Sequence, residues 1–217
     1  MPSESFKEFE QNLTDVKRIV SLHNTLSRPN GAGRRGKRGL GHLTRGGIVL
    51  LCAAWERYVE SVLEEGAAFL GRRHSHATLP AGPRQLVLDY VNHNQTPHTQ
   101  ADLQNNLEAA LVAAVQRKTE KLNTPKHAKV QPLFANVLGV VDIAAAWSRG
   151  HQPIDNFVVL RGGVAHRGGQ APYVRFAALT NAVASVSEYA VETDNHLSDH
   201  LRTLVTPSRR PWNRQTP

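Results

Sequence analysis

Apolar residues recur every three or four positions along most of this chain, and no convincing run of strict apolar/polar alternation appears. The first pattern turns one face of an α-helix toward a core, whereas the second is what a half-buried strand requires. Phe6, Phe9, Leu13, Val16 and Val20 mark an amphipathic helix over 4–26. Ile48, Leu51, Trp55, Val59 and Val62, with Glu56, Glu60, Glu64 and Glu65 beside them, mark a longer one from about 42 to 70 that should form the spine of the fold. A shorter helix is expected over 84–93 and another on Leu103, Leu107, Leu111 and Val115. Phe134, Val137, Leu138 and Val141 begin one that continues through alanines to near Gly150. Pro153 sits where a first-turn proline is tolerated and opens the next, and Tyr173, Phe176, Leu179, Val183, Val186 and Ala190 carry a last helix to about 203. The expectation is all-α: a bundle of four to five core helices plus shorter accessory helices.

A length of 217 residues suits one domain, placed here at 1–203. Within it RPNGAGRRGKRGLG at 28–41, with five glycines and a proline, is read as a flexible basic loop. TPSRRPWNRQTP lies in a stretch, 204–217, expected to be a disordered basic tail. Cys52 is the only cysteine, which rules out an intrachain disulfide and a cysteine-based zinc site. The polar, acidic start MPSESFKEFEQ lacks the basic lead of a targeting peptide, and Ile48 to Trp55 is too short to span a bilayer. A soluble, cytoplasmic protein with no membrane partner is expected.

The net charge of +8 is unevenly placed. No acidic residue separates Asp15 from Glu56, while Lys17, Arg18, Arg28, Arg34, Arg35, Lys37, Arg38 and Arg45 are all basic. Arg72, Arg73 and Arg84 repeat the pattern, as do Arg202, Arg209, Arg210 and Arg214 after Asp199. Such stretches suit a phosphate backbone, and Arg34, Arg35, Lys37, Arg38 and Arg45 are the candidate RNA-binding residues. GAGRRGK at 31–37 has the glycine–lysine spacing of a P-loop, but Arg38 stands where a magnesium-binding hydroxyl belongs and no strand precedes it. His74 and His76 share a loop with no acidic neighbour in sequence, so they are read as surface histidines, and no metal or cofactor is expected.

The segment VVLRGGVAHRGG at 158–169 is the most informative. On a helical wheel Arg161 falls in the middle of a face made by Ile154, Phe157, Val158 and Ala165, and Val159, Leu160 and Val164 fill much of the remainder. Such a helix ought to be buried nearly all round. An arginine keeps its charge, so it needs an anionic partner or a water-filled cleft. His166 lies about 140° further round, near a helix C-terminus whose dipole favours imidazolium. From the residues alone two accounts stand: a structural arginine paired with Glu56 or Asp155, or a functional cation beside a proton-carrying ring.

R-x4-H, written here Arg161-Gly-Gly-Val-Ala-His166, precedes glycines and a final long helix, and IVLLCAAWERYVESVLEE at 48–65 is similar to an "LLxAAWExY" helix. Together they resemble the HEPN superfamily of helical ribonucleases and RNA-binding domains, in particular its RiboL-PSP-type group, over most of residues 5–200. The resemblance implies a homodimer whose two Arg–His pairs share one groove and cleave RNA without metal through 2′-hydroxyl attack. It assigns catalysis to Arg161 and His166, with Glu56 and Arg167 as supporting residues. A toxin or defence effector restrained by an antitoxin or other inhibitory partner is the expected setting. Gly162 replaces the polar residue common after the arginine, and Arg167 the glycine common after the histidine. The alternative is therefore a non-catalytic RNA-binding or protein-interaction domain of the same fold.

Overall fold

The computed structural model describes residues 1–27, 37–94, 106–167 and 173–215. Among them are seven α-helices and no strand: α1 Glu4–Ser27, α2 Gly41–Arg73, α3 Ala81–Asn94, α4 Leu107–Thr119, α5 His127–Leu138, α6 Gln152–Arg167 and α7 Phe176–Thr203. None is long and apolar enough to cross a membrane.

At 33 residues α2 extends about 50 Å, and it packs against α1, α4, α5, α6 and α7. Its expected stripe is fully buried, as are Leu63, Ala67 and Leu70. The stripe drifts round the helix along its length because several neighbours must be satisfied in turn. Gly71 permits the closest of these approaches: a Cβ there would lie 2.5 Å from the Cα of Glu108, so α4 could not reach α2 over any larger residue.

Polar contacts fix the helix ends. Ser3 Oγ accepts from the Phe6 amide, and the Glu65 carboxylate of α2 accepts from the amides of Glu4 and Ser5 and from Ser5 Oγ. A carboxylate at a helix N-terminus meets both unsatisfied N–H groups and the positive end of the dipole. Asp155 of α6 does the same for α5, accepting from the His127 amide at 2.7 Å.

Two expectations need correction here. The helix that was to run to Gly150 stops at Leu138, because Gly139 turns left-handed at φ 73° and its amide and that of Val140 close the turn onto Ala135 and Phe134. The side-chain amide of Gln131 then holds the exit, donating to the carbonyl of Val140 and accepting from the Ile143 amide. The described part of the tail is not disordered. Trp212 is buried, with its Nε1 donating to Asp194 O at 3.0 Å and its carbonyl accepting from Ser198 Oγ, and the Asn213 amide donates to Met1 O at 2.9 Å. One aromatic anchor fastens a segment whose composition is that of a free end.

Candidate functional site

Arg161 occupies the second half of α6, and a short connector between α4 and α5 runs beside it. Trp55 Nε1 donates to Pro125 O at 3.2 Å, and Arg161 Nη1 reaches Asn123 O at 3.4 Å, so the spine helix and the arginine grip the same connector. Across from Arg161 lie Cys52 and Glu56 of α2. Burial pushes the Cys52 thiol up to about 11 even though Arg161 opposes the shift, so it stays protonated near neutral pH. Burial likewise raises Glu56 above the usual carboxylate range, again against the pull of Arg161.

The two charges are neighbours without being an ion pair. No carboxylate of the described residues comes within the 4.0 Å of a salt bridge to the Arg161 guanidinium. Arg161 Nε and Glu56 Oε2 are both buried and have no hydrogen-bond partner. Asp155, the other partner considered from sequence, is engaged with the His127 amide and with His151 Nδ1 at 3.1 Å. A fixed cation with an unused donor, held half-buried beside a carboxylate it does not bind, is a site with capacity for an anion.

His166 stands in the last turn of α6, exposed and without a hydrogen-bond partner among the described residues. It rises about 7.5 Å along the axis from Arg161 and is not stacked on it. Glycine occupies the two positions after the arginine, and a Cβ at Gly162 or Gly163 would meet nothing within 4 Å. Val159, one side of the same stripe, is 57 % exposed. The all-round burial expected of α6 is therefore corrected: its Val159–Gly162–His166 face is open, because no neighbouring helix covers it among the described residues.

Arg45 lies seven residues before Cys52 and eleven before Glu56, which puts all three within about 20° of one face of α2. Its Nη1 is 3.4 Å from where a Gly41 Cβ would stand, and the Tyr173 ring is equally close to that point. Tyr173 was expected to open the last helix, which instead begins at Phe176; the bond from Thr44 Oγ1 to Val174 O at 2.8 Å brings the segment before that helix onto α2. Lys37 and Arg38 begin a short 3-10 turn, Lys37–Leu40, that leads into α2. Arg34 and Arg35, with most of the glycine-rich loop, lie outside the described residues, as do the side chains of Lys37, Arg38 and Arg167. His127 and His151, not proposed as site residues from sequence, stack at 4.6 Å where α6 begins, nearly three helical turns before Arg161. Among the described residues no group of three histidine, cysteine or acidic side chains is placed to hold a metal.

A family model described as RiboL-PSP-HEPN matches residues 10–199, nearly the whole chain and every residue of this site. The chain belongs to the RiboL-PSP-HEPN family. Comparison with curated proteins finds no significant match, and comparison with solved structures finds none either. Membership of RiboL-PSP-HEPN accounts for an RNA-related role and for the helical order around α2 and α6. Within this HEPN domain the open glycines give a direct test of local energetics. Gly162→Ala should raise stability by about 0.5–1 kcal/mol in urea unfolding, since a helical glycine is entropically costly and the added methyl meets no neighbour.

Proposed function

We propose that this HEPN domain is a metal-independent endoribonuclease acting as a homodimer, with Arg161 and His166 as its catalytic pair. The observation that carries the reading is the unpaired, half-buried Arg161 guanidinium, beside an open helix face that leads to an exposed imidazole. In the reaction the ribose 2′-hydroxyl loses its proton, to imidazole acting as base in one protomer or the other. The 2′-oxygen attacks the adjacent phosphorus, and the bond from phosphorus to the 5′-oxygen breaks as that oxygen gains a proton. The products are a 2′,3′-cyclic phosphate and a 5′-hydroxyl. His166 exchanges the protons and Arg161 neutralises charge growing on the non-bridging oxygens. Glu56 braces the guanidinium from behind, and Arg167 adds a phosphate contact.

A domain with this activity suits a cytoplasmic toxin or defence effector held in check by an antitoxin-like partner. Purified wild type should cleave total RNA in EDTA, and His166→Ala should reduce the rate by at least about a hundredfold. Equal, negligible cleavage by both would remove the enzymatic reading. Gly162 favours one second reading: without a polar group there, the domain binds RNA without cutting it. That reading predicts salt-sensitive binding undiminished by His166→Ala.

A further inference from the structure

Two arginine-rich stretches more than a hundred residues apart in sequence meet at the far end of α2. Phe69, Arg72 and Arg73 in its last turns face Arg209, Arg210 and Pro211 of the tail across a cavity of about 280 Å³, and no acidic residue lines it. Two of the four guanidinium groups are compensated from outside the cavity: Arg72 by Glu108 at 2.5 Å and Arg210 by Asp199 at 2.6 Å. Arg73 lies 5.7 Å over the Phe69 ring, and neither it nor Arg209 has a carboxylate within salt-bridge distance among the described residues. A second cavity, of about 670 Å³, shares Arg209, Arg210 and Pro211 with the first and is also lined by Arg202, Glu4 and Glu65.

Like charges gather in this way only if something holds them. Buried Trp212 and the Asn213–Met1 bond fix the tail just beyond the arginines, and Arg214 binds the same Asp199 at 3.1 Å. The tail is therefore clamped with Arg209 and Arg210 lining the same cavity as Arg73. An anion would relieve the repulsion, and guanidinium forks match the paired oxygens of a phosphate. The cavity exceeds the size of one phosphate, and Phe69 and Pro211 add apolar groups to its lining, which suits a phosphodiester with part of its sugars.

We propose that this cleft binds the backbone of RNA outside the cleavage site, a reading that rests on RNA being the substrate. Arg72 and Arg73 lie sixteen and seventeen residues beyond Glu56 along α2, about 25 Å away. At about 3.4 Å per stacked nucleotide, roughly seven nucleotides, or fewer in an extended strand, separate this cleft from Glu56 beside Arg161. Short RNA reaches one of the two sites; long RNA reaches both.

The test is a double variant, Arg73→Ala with Arg209→Ala. Binding is measured in the His166→Ala background, using a labelled trinucleotide and a single strand of about fifteen nucleotides at several salt concentrations. Affinity for the long RNA should fall about tenfold, and the slope of log Kd against log salt should fall by about 1.4, the share of two phosphate contacts. Trinucleotide binding and the thermal midpoint should not move, and Arg73→Lys with Arg209→Lys should restore the slope. With His166 intact, the alanine pair should still cut the trinucleotide as wild type does. Unchanged long-RNA affinity in a folded double variant, equal weakening of both RNAs, or displacement of long RNA by inorganic phosphate at equal concentration would each overturn the cleft. Wild type that neither binds nor cuts any RNA would instead sink the reading beneath it.

Discussion

Trp55→Ala should lower the free energy of unfolding by about 4 kcal/mol, read as a shift in urea midpoint at constant slope. Trp55 has no exposed surface and lies within 5.8–6.4 Å, centroid to centroid, of Tyr58, Trp147 and Tyr189. These rings belong to α2, to the segment before α6, and to α7, and two of them are tied by polar tips: Trp147 Nε1 to Thr193 Oγ1 at 2.9 Å and Tyr189 OH to Gly150 O at 2.9 Å. Removing the indole leaves a large cavity that such a fastened cluster cannot collapse into. The loss also orphans Pro125 O, in the connector that meets Arg161 at Asn123, so any variant that still folds should have weakened RNA binding too. Trp55→Phe separates the two effects. It keeps most of the volume and loses the indole bond, and should cost about 1–3 kcal/mol. An alanine variant as stable as wild type would mean that the aromatic cluster does not hold the fold.

The stability of the protein should decline between about pH 4 and pH 7, and Asp194 is the reason. Its carboxyl group is completely buried between α7, Ser3 and Trp212, and burial raises its pKa to about 7. Ser3 Oγ donates to Oδ1, while Oδ2 has no partner. An unfolded aspartate ionises near 3.9, so between the two values the folded state holds a proton that the unfolded state has released. Raising the pH through that window therefore favours unfolding; below it both states are protonated and above it both are ionised. Three pKa units correspond to on the order of 4 kcal/mol. Asp194→Asn removes the titration while leaving one buried amide group short of a partner. Its unfolding curve should be flatter across the window, below wild type at pH 5 and above it at pH 8. Parallel curves for the two proteins would show that Asp194 does not titrate in this range.

The helical order was legible because each helix buries one stripe, and periodicity reports a stripe directly. Ile48, Leu51, Trp55, Val59 and Val62 announced the central helix, and all five are fully buried. What failed depends on partners that periodicity cannot name. The stop at Gly139 is a backbone event between an apolar helical stripe and a run of alanines, and Gln131 supports it from eight residues upstream. Trp212 sits among prolines, arginines and polar residues, and nothing local says that α7 offers it a slot. Val159 looked like core because its neighbours are apolar, yet it is exposed, since α6 turns that side away from the bundle. At the candidate site Arg161 and His166 were singled out by the resemblance of their R-x4-H segment to the HEPN pattern, the residues alone leaving a structural arginine equally open. That Glu56 stands near Arg161 without pairing, and that Asn123 supplies a carbonyl, depends on how α2, α6 and the connector cross. The meeting of Arg73 with Arg209 was hidden for the same reason, although both basic stretches were visible separately.

Because residue 213 shares a hydrogen bond with residue 1, and Asp194 holds both Ser3 and Trp212, tension on either end of the chain loads one common set of bonds. Neither end can be peeled away alone: freeing the first turn of α1 undercuts the indole, and freeing the indole unseats the first turn. An unfolding machine that pulls from one side would meet this clasp before it reached the central helix, and its release would set the first step of mechanical unravelling.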